Sequence, residues 1–162
     1  MLQTSKKAKE AAVEALLLKN YNQYYRLACS YTHNDADAGD IVQNGAYKAI
    51  KNSGQLKNIN FASTWVYRIM LNEIYHFYNQ NQAAISNPLS EEIPTEDTYE
   101  NIDLARALDA LPPKEQTVIK LKFFEDLKLE EIADITEENL STVKSRLYRG
   151  LQKLRIKLDR SM

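Results

Sequence analysis

Glycine and proline are scarce in this chain, four of each in 162 residues, and period-two alternation of apolar and polar residues is nearly absent. Their scarcity argues against strands and tight turns, and the periodicity that exists lies close to 3.6, so the fold class expected is all-α. Cys29 is the single cysteine, which excludes an intrachain disulfide. With His33 it makes at best half of a metal site, and a buried structural thiol is the simpler reading. No apolar run approaches the roughly 20 residues of a membrane-spanning helix. The stretch Ser5-Lys6-Lys7-Ala8-Lys9-Glu10 leads into a short amphipathic segment and not a signal peptide. A cytoplasmic location without membrane insertion is therefore expected. Neither sign of charge dominates, the formal net charge being −1.

What is present is two helical groups separated by a change of composition. Helical pattern runs from about Lys6 to Lys19, Tyr21 to His33, Asp35 to Lys51 and Phe61 to Asn81, which predicts a first four-helix unit over 1–82. From Ala83 to Glu100 the acids Glu91, Glu92, Glu96, Asp97 and Glu100 appear with Asn87-Pro88 and Ile93-Pro94 and no basic residue, the composition of an exposed, flexible acidic linker. Helical pattern resumes at Ile102 to Leu111, breaks at Pro112-Pro113 with Pro113 placed to open the next helix, and continues to Phe124, over Leu129 to Thr136, and from Ser141 onward. That makes a second four-helix unit over 101–162.

The second unit ends in the pattern of a helix-turn-helix. Val143, Leu147, Leu151, Leu154 and Leu158 recur at three- and four-residue spacing and predict one buried stripe of a long helix. Lys144, Ser145, Arg146 and Arg149 fall outside that stripe. From Ser141 to the end there are seven basic side chains and one acid, Asp159, so positive charge is concentrated here in a nearly neutral protein. A helix laid in the major groove presents its first turns to base edges, where Arg can donate two hydrogen bonds to a guanine and Lys pairs with phosphate.

Two further faces stand out in the first unit. On the helix from Asp35, the residues Ala38, Ile41, Val42, Gly45, Ala46 and Ala49 form an apolar side and leave Asp37, Asp40, Asn44 and Tyr47 facing out, with Gln43 at the border. Asn34 is placed to cap this helix, and Asp35 and Asp37 to complement its dipole. Asp40 and Gln43 lie beyond the first turn, where capping does not account for them. On the helix from Phe61, the residues Arg68, Asn72, Tyr75 and Asn79 share one stripe, flanked by Tyr67, His76 and Tyr78. Cation, amide and aromatic side chains interleaved in this way suit single-stranded nucleic acid. Trp65, at helical spacing from Phe61 and Ile69, is expected in the core.

In order and spacing, Tyr25-Arg26-Leu27-Ala28, Asp35 to Gln43, Trp65-Val66-Tyr67-Arg68-Ile69 with Asn72, Ala107 to Pro112 and Thr142 to Leu147 resemble the small alternative sigma factors of bacterial RNA polymerase, the extracytoplasmic-function type. The resemblance covers nearly the whole chain. It implies a promoter-specificity subunit with no catalysis and no cofactor, partnered by the polymerase core (its beta and beta-prime subunits) and by promoter DNA. It implies that Asp37, Asp40, Gln43, Asn44 and Tyr47 dock on the core. Lys57, Asn58 and Asn60 in the loop Ser53 to Asn60, with Tyr67, Arg68, Asn72 and Tyr75, would hold the melted minus-10 element. Ser141, Thr142, Lys144, Ser145, Arg146 and Arg149 would read the minus-35 element. It also implies an inhibitory anti-sigma protein, membrane-linked, and a role in stress response. The acidic linker is open to two readings, a disordered tether or a mimic of nucleic-acid charge in the channel that later carries RNA.

Two departures from that family pattern are visible. Where relatives place an acid and then several basic residues after the asparagine, this chain has His76 and then the uncharged Asn79-Gln80-Asn81-Gln82. The glycine expected in the turn near Glu137 is missing, and Glu137-Glu138 set acids beside the recognition helix. Since positive φ is uncommon outside glycine, a different turn shape or a different helix entry is expected there. Two other classes fit parts of the pattern: a stand-alone helix-turn-helix regulator binding duplex as a dimer, and a metal-dependent enzyme using Asp35, Asp37 and Asp40. Against the enzyme, Asp35 and Asp37 point in different directions on a helix and no His or Cys cluster completes a site.

Overall fold

A run of 31 residues without glycine or proline can stay helical even where propensity is weak, because each ordinary residue costs only a few tenths of a kcal/mol. The computed structural model describes residues 2–80 and 104–161, with side chains for 5–80 and 104–156. It divides into two compact units, Met1–Pro88 and Leu89–Met162. In the first unit, α1 is one helix from Leu2 to Thr32, not the two expected on either side of Asn20. Nothing at Asn20 breaks it, and a single face carrying Val13, Leu17, Tyr24, Leu27, Ala28 and Tyr31 is buried through both halves. Tertiary burial overrides the weak signal of the Asn-Tyr-Asn stretch. Among the described residues, the first unit thus has three long helices where four were expected.

α1 ends where His33 takes a left-handed conformation (φ 55) and its N–H reaches the Cys29 carbonyl at 2.9 Å. Asn34 then caps α2 (Asp35–Lys51) as expected, its side-chain oxygen accepting from the Asp37 N–H at 3.0 Å. Cys29, expected to be buried, is half-buried at this corner, its thiol donating to Asp35 Oδ1 at 3.8 Å. Burial and then the neighbouring carboxylate push the thiol pKa up, so this is not an activated cysteine.

α2 buries Ala38, Ile41, Val42, Gly45 and Ala49 against α1 and α3 (Ala62–Gln80). A Cβ on Gly45 would come within 2.5 Å of the Met70 sulfur, so α2 and α3 approach as closely as a missing side chain allows. Lys48 and the mostly buried Glu73 close the same contact with an ion pair. Two single 3₁₀ turns, Ser53–Gln55 and Ile59–Phe61, join α2 to α3.

In the second unit, residues 104–109 form α4, Pro113–Phe123 form α5, Leu129–Thr136 form α6 and Leu140–Ser161 form α7. Pro113 opens α5 as expected, in the first turn where its missing N–H costs nothing. Ala107, Leu108, Leu111, Ile119 and Leu154 make a core, with Leu147 packed against it. Seven consecutive residues of α5, Glu115 to Leu121, are buried. Charged and polar members of that run are satisfied locally: Lys153 donates to Glu115 at 3.0 Å, and the Lys120 ammonium donates to Gln116 Oε1 at 2.5 Å.

The α7 stripe departs from the expected one. Val143 and Leu154 are buried and Leu147 is partly buried, but Leu151 is 37% exposed and Gly150 takes its place against α5. A Cβ on Gly150 would lie 2.5 Å from Ile119 Cδ1, so the helix rolls its glycine inward and Leu151 outward. Leu158 lies outside the described side chains, and the linker expected over 83–100 lies outside the described residues.

Two glycines of α2 should respond in opposite ways to alanine. Gly39 has nothing within 4 Å of an added Cβ, so Gly39→Ala should stabilise the first unit by about 0.5–1 kcal/mol through helix propensity. Gly45→Ala gains the same but must displace Met70, an overpacking cost of about 1–3 kcal/mol, so it should lower stability. Urea unfolding of both variants checks the two signs, and a stabilised Gly45→Ala would refute the close approach.

Burial lowers the Lys120 pKa from 10.5 to about 7, with Asp109 opposing the shift. Between those values the unfolded chain holds a proton that the folded state has released, so the unfolded state binds more protons and stability rises with pH. From pH 10.5 down to about 7 the penalty grows, and below about 7 it is constant. Lys120→Met should therefore raise the unfolding temperature at neutral pH and remove this slope. Identical pH slopes for parent and variant in thermal unfolding would refute it.

Candidate nucleic-acid interface

The turn between α6 and α7 determines how the recognition helix leaves the core. α6 begins with Glu130 and Glu131 in its first turn, favourable to the helix dipole, and Glu131 accepts from the Lys128 N–H at 3.2 Å. It ends at Glu137, which adopts φ 57 and ψ 43, and the N–H groups of Glu137 and Glu138 both reach the Ala133 carbonyl. The turn therefore keeps the left-handed shape that a glycine would take, and the different shape expected from its absence is not found. Tertiary packing of Ile132, Ala133 and Ile135 holds the end of α6 and offsets the strain at Glu137.

Beyond the turn, the first turns of α7 present one polar face. Ser141, Ser145 and Arg149 are exposed and Thr142 and Arg146 half-buried, and together these five line an open hollow of about 210 Å³. They occupy successive turns of the helix on a sector beside the buried Val143 and Gly150, with Arg146, four residues before Gly150, at its buried edge. Lys144 is exposed but does not line the hollow. Arg146 forms an ion pair with Glu138, and both side chains are 20% exposed. Lys114 Nζ stands 4.0 Å from the same carboxylate. The acids expected beside the recognition helix thus act through Glu138, which holds an arginine.

In the first unit, Asp40, Asn44 and Tyr47 of the outward row on α2 are exposed as expected and Gln43 with them, whereas Asp37 is half-buried. Lys51 lies over the Tyr47 ring, 5.8 Å from its centroid. Asp35, Asp37 and Asp40 do not converge on a metal, and among the described residues no group of three His, Cys, Asp or Glu could hold one.

On and before α3 the expected residues divide. Lys57, Asn58, Asn60 and Asn72 are exposed, while Arg68 and Tyr75 are half-buried. Asn58 also caps the 3₁₀ turn before α3, its side-chain oxygen accepting from the Asn60 N–H at 2.9 Å. Tyr75 sets its ring edge-on to Tyr31, with centroids 6.4 Å apart. Tyr67 is a correction: it is 3% exposed and packs edge-on against Tyr24, centroids 5.3 Å apart. The close fit of α1 on α3 rolls Tyr67 into the core, next to Val66 and Met70, so it presents no surface to a ligand. Trp65, placed in the core from sequence, is half-buried.

Sequence reasoning missed Phe61, 57% exposed beside the loop. The helix expected from Phe61 begins at Ala62, and Phe61 instead ends the capped 3₁₀ turn. The Asn58-x-Asn60 capping pattern was the available signal that Phe61 is out of helical phase.

With these faces in place, comparison with known proteins identifies both units. The family described as Sigma-70 region 2 matches residues 16–84, and that described as Sigma-70, region 4 matches residues 102–154. The RNA polymerase sigma factor SigV of Bacillus subtilis is 40% identical over 159 residues, 96% of each chain. This chain belongs to the extracytoplasmic-function sigma factors of RNA polymerase. The ECF sigma factor SigE of Mycolicibacterium smegmatis is 30% identical over 154 residues, 88% of this sigma factor and 60% of the relative. Among solved structures, CnrH in complex with the cytosolic domain of CnrY superposes with a TM-score of 0.76 at 20% identity, covering 99% of this chain and 96% of that one. RpoE of Bartonella quintana, solved with the anti-sigma factor NepR, gives 0.68 at 22% identity, covering 90% and 96%. The fold is that of these proteins. As an alternative sigma factor, the chain directs RNA polymerase to promoters for transcription initiation. A stand-alone regulator is set aside, because it leaves the region 2 match over 16–84 without a role.

The left-handed Glu137 carries a measurable strain. Placing an L-residue there costs about 1–2 kcal/mol, whereas glycine loses about 0.4–1 kcal/mol through the freer unfolded chain. Glu137→Gly should therefore stabilise the second unit by up to about 1.5 kcal/mol, and the β-branched Glu137→Val should destabilise it. Denaturant midpoints that rank Val at or above the parent would contradict the observed turn.

Proposed function

We propose that residues 1–82 dock on the polymerase core and hold the melted minus-10 element, that 83–100 tether the two units, and that 101–162 read the minus-35 element. The observation that carries this reading is the face of α7 where Ser141, Thr142, Ser145, Arg146 and Arg149 line one open hollow. Hydroxyls and arginines at the first turns of a helix match what a major groove offers, with Arg donating to guanine and Ser or Thr to either base edge or phosphate. Lys144, outside the hollow, suits a flanking phosphate.

Docking is assigned to Asp37, Asp40, Gln43, Asn44 and Tyr47, the outward row of α2, against a basic surface of the core's beta-prime subunit. Capture of single-stranded DNA is assigned to Lys57, Asn58, Asn60, Arg68, Asn72 and Tyr75, with the exposed Phe61 added and the buried Tyr67 removed. Stacking on an exposed aromatic is worth about 1–3 kcal/mol per base and accepts any base. The chain itself catalyses nothing and works in the cytoplasm. An anti-sigma protein, membrane-linked, is proposed as its inhibitor; support comes from RpoE of similar fold having been solved with one.

Reconstitution with polymerase core tests the reading in two arms. Asp40→Lys should lose copurification with core while retaining its helical circular dichroism. Asn72→Ala should bind core normally yet slow promoter melting, and a template already mismatched across the minus-10 region should recover part of the lost transcription. Core binding by Asp40→Lys equal to the parent would remove α2 as the dock. Normal permanganate reactivity of unpaired thymines with Asn72→Ala on a paired promoter would remove that residue from melting.

A further inference from the structure

Arg146 is the most enclosed cation on the proposed reading face, and it is not free. Its guanidinium Nη1 donates to Glu138 Oε1, in a pair whose side chains are both 20% exposed, and Lys114 approaches the same carboxylate at 4.0 Å. Glu138 sits in the turn itself, immediately after the left-handed Glu137, so its backbone is held by the Ala133 carbonyl and its carboxylate reaches α7 from a fixed point. Arg146 also lines the hollow with Ser141, Thr142, Ser145 and Arg149. A guanidinium carries five N–H donors in a rigid planar fork. One engaged with Glu138 leaves the others for a ligand, but only in the orientation that the carboxylate allows.

We propose that Glu138 is a specificity-determining positioning residue: it holds the Arg146 guanidinium in one orientation and lowers the positive charge at the mouth of the α7 hollow. This rests on the reading of α7 as the minus-35 interface. The physical consequence differs for the two kinds of DNA contact. A base edge needs two parallel donors in a fixed plane and carries no net charge, so a pre-oriented guanidinium meets it without cost from the acid. A phosphate would approach a carboxylate of its own sign and compete with it for the same cation. Glu138 therefore suppresses binding that ignores sequence more than binding that reads it. Discrimination is gained at the expense of total affinity for DNA.

The test uses holoenzyme reconstituted from core and the full chain. A promoter library randomised over the minus-35 segment is first passed over the parent, and the preferred sequence is then compared with its scrambled form. Arg146→Ala should lower the matched-to-scrambled ratio. Glu138→Ala should raise affinity for the scrambled promoter about three- to tenfold, steepen the logarithmic salt slope by about one, and reduce the matched-to-scrambled ratio about tenfold. Glu138→Gln, which keeps an acceptor for Nη1 without the charge, should raise scrambled binding yet retain most of the ratio. In an Arg146→Ala background, Glu138→Ala should change the ratio no further.

Failure to select any preferred sequence, or an Arg146→Ala ratio equal to the parent's, would sink the minus-35 reading and the inference with it. If Arg146→Ala lowers the ratio but Glu138→Ala leaves ratio and salt slope at parental values, only the inference is overturned. Equal loss on matched and scrambled promoters with Glu138→Ala would assign the acid a structural role, which also overturns it. Should the alanine variant fail to show parental helicity, the salt slope of Glu138→Gln decides: an unchanged slope is decisive against the proposal.

Discussion

The second unit depends on one helix being enclosed. Burial of seven consecutive residues from Glu115 to Leu121 means that α5 has no free face over almost two turns, so its neighbours must pack around it. That enclosure requires each polar group in the run to find a partner, since a buried unpaired polar group costs more than a hydrogen bond gains. Glu115 takes Lys153 from α7 and Lys120 takes Gln116 one turn away on α5. The first of these pairs also fixes the rotation of α7, together with the contact between Gly150 and Ile119. The placement of Arg146 and Arg149 is thus tied to how α7 meets α5, since Lys153 lies one and two turns further along the same side of the helix.

The first unit solves the same problem by close approach. Gly45 lets α2 come within reach of Met70, and Lys48 with Glu73 closes the seam. Because the apolar side of α2 is used up in that contact, Asp40, Gln43, Asn44 and Tyr47 are presented on a rigid element and not on a loop. Rigid presentation lowers the ordering cost of the docking proposed for this row. The approach of α1 on α3 has the opposite effect for Tyr67, which is consumed by the core next to Tyr24.

Charge at the proposed reading face follows from local geometry more than from composition. Seven basic residues crowd the sequence from Ser141 onward, yet the arginine most enclosed in the hollow is held by an acid eight positions earlier. A count of charges overstates the positive potential there. Spacing rules for one helix do not see a partner contributed by the preceding turn.

The sequence by itself determined the all-α class, the helix bounds of α2, α5 and α6 to within a few residues, the Asn34 cap, the outward row of α2 and the family. These rest on local physics: 3.6-residue periodicity, capping chemistry and the placement of Pro113 are readable within a few neighbouring positions. Tertiary structure alone decided that α1 runs unbroken through Asn20, that Gly150 and not Leu151 faces α5, that Tyr67 is core while Phe61 is exposed, and that Lys120 is buried. It also decided that Glu137 takes a glycine's conformation and that Glu138 holds Arg146. Each of these depends on which side of a helix another element approaches and how closely, and periodicity leaves a residue at the edge of a stripe free to roll either way. Only the packing partner, distant in sequence, settles that rotation.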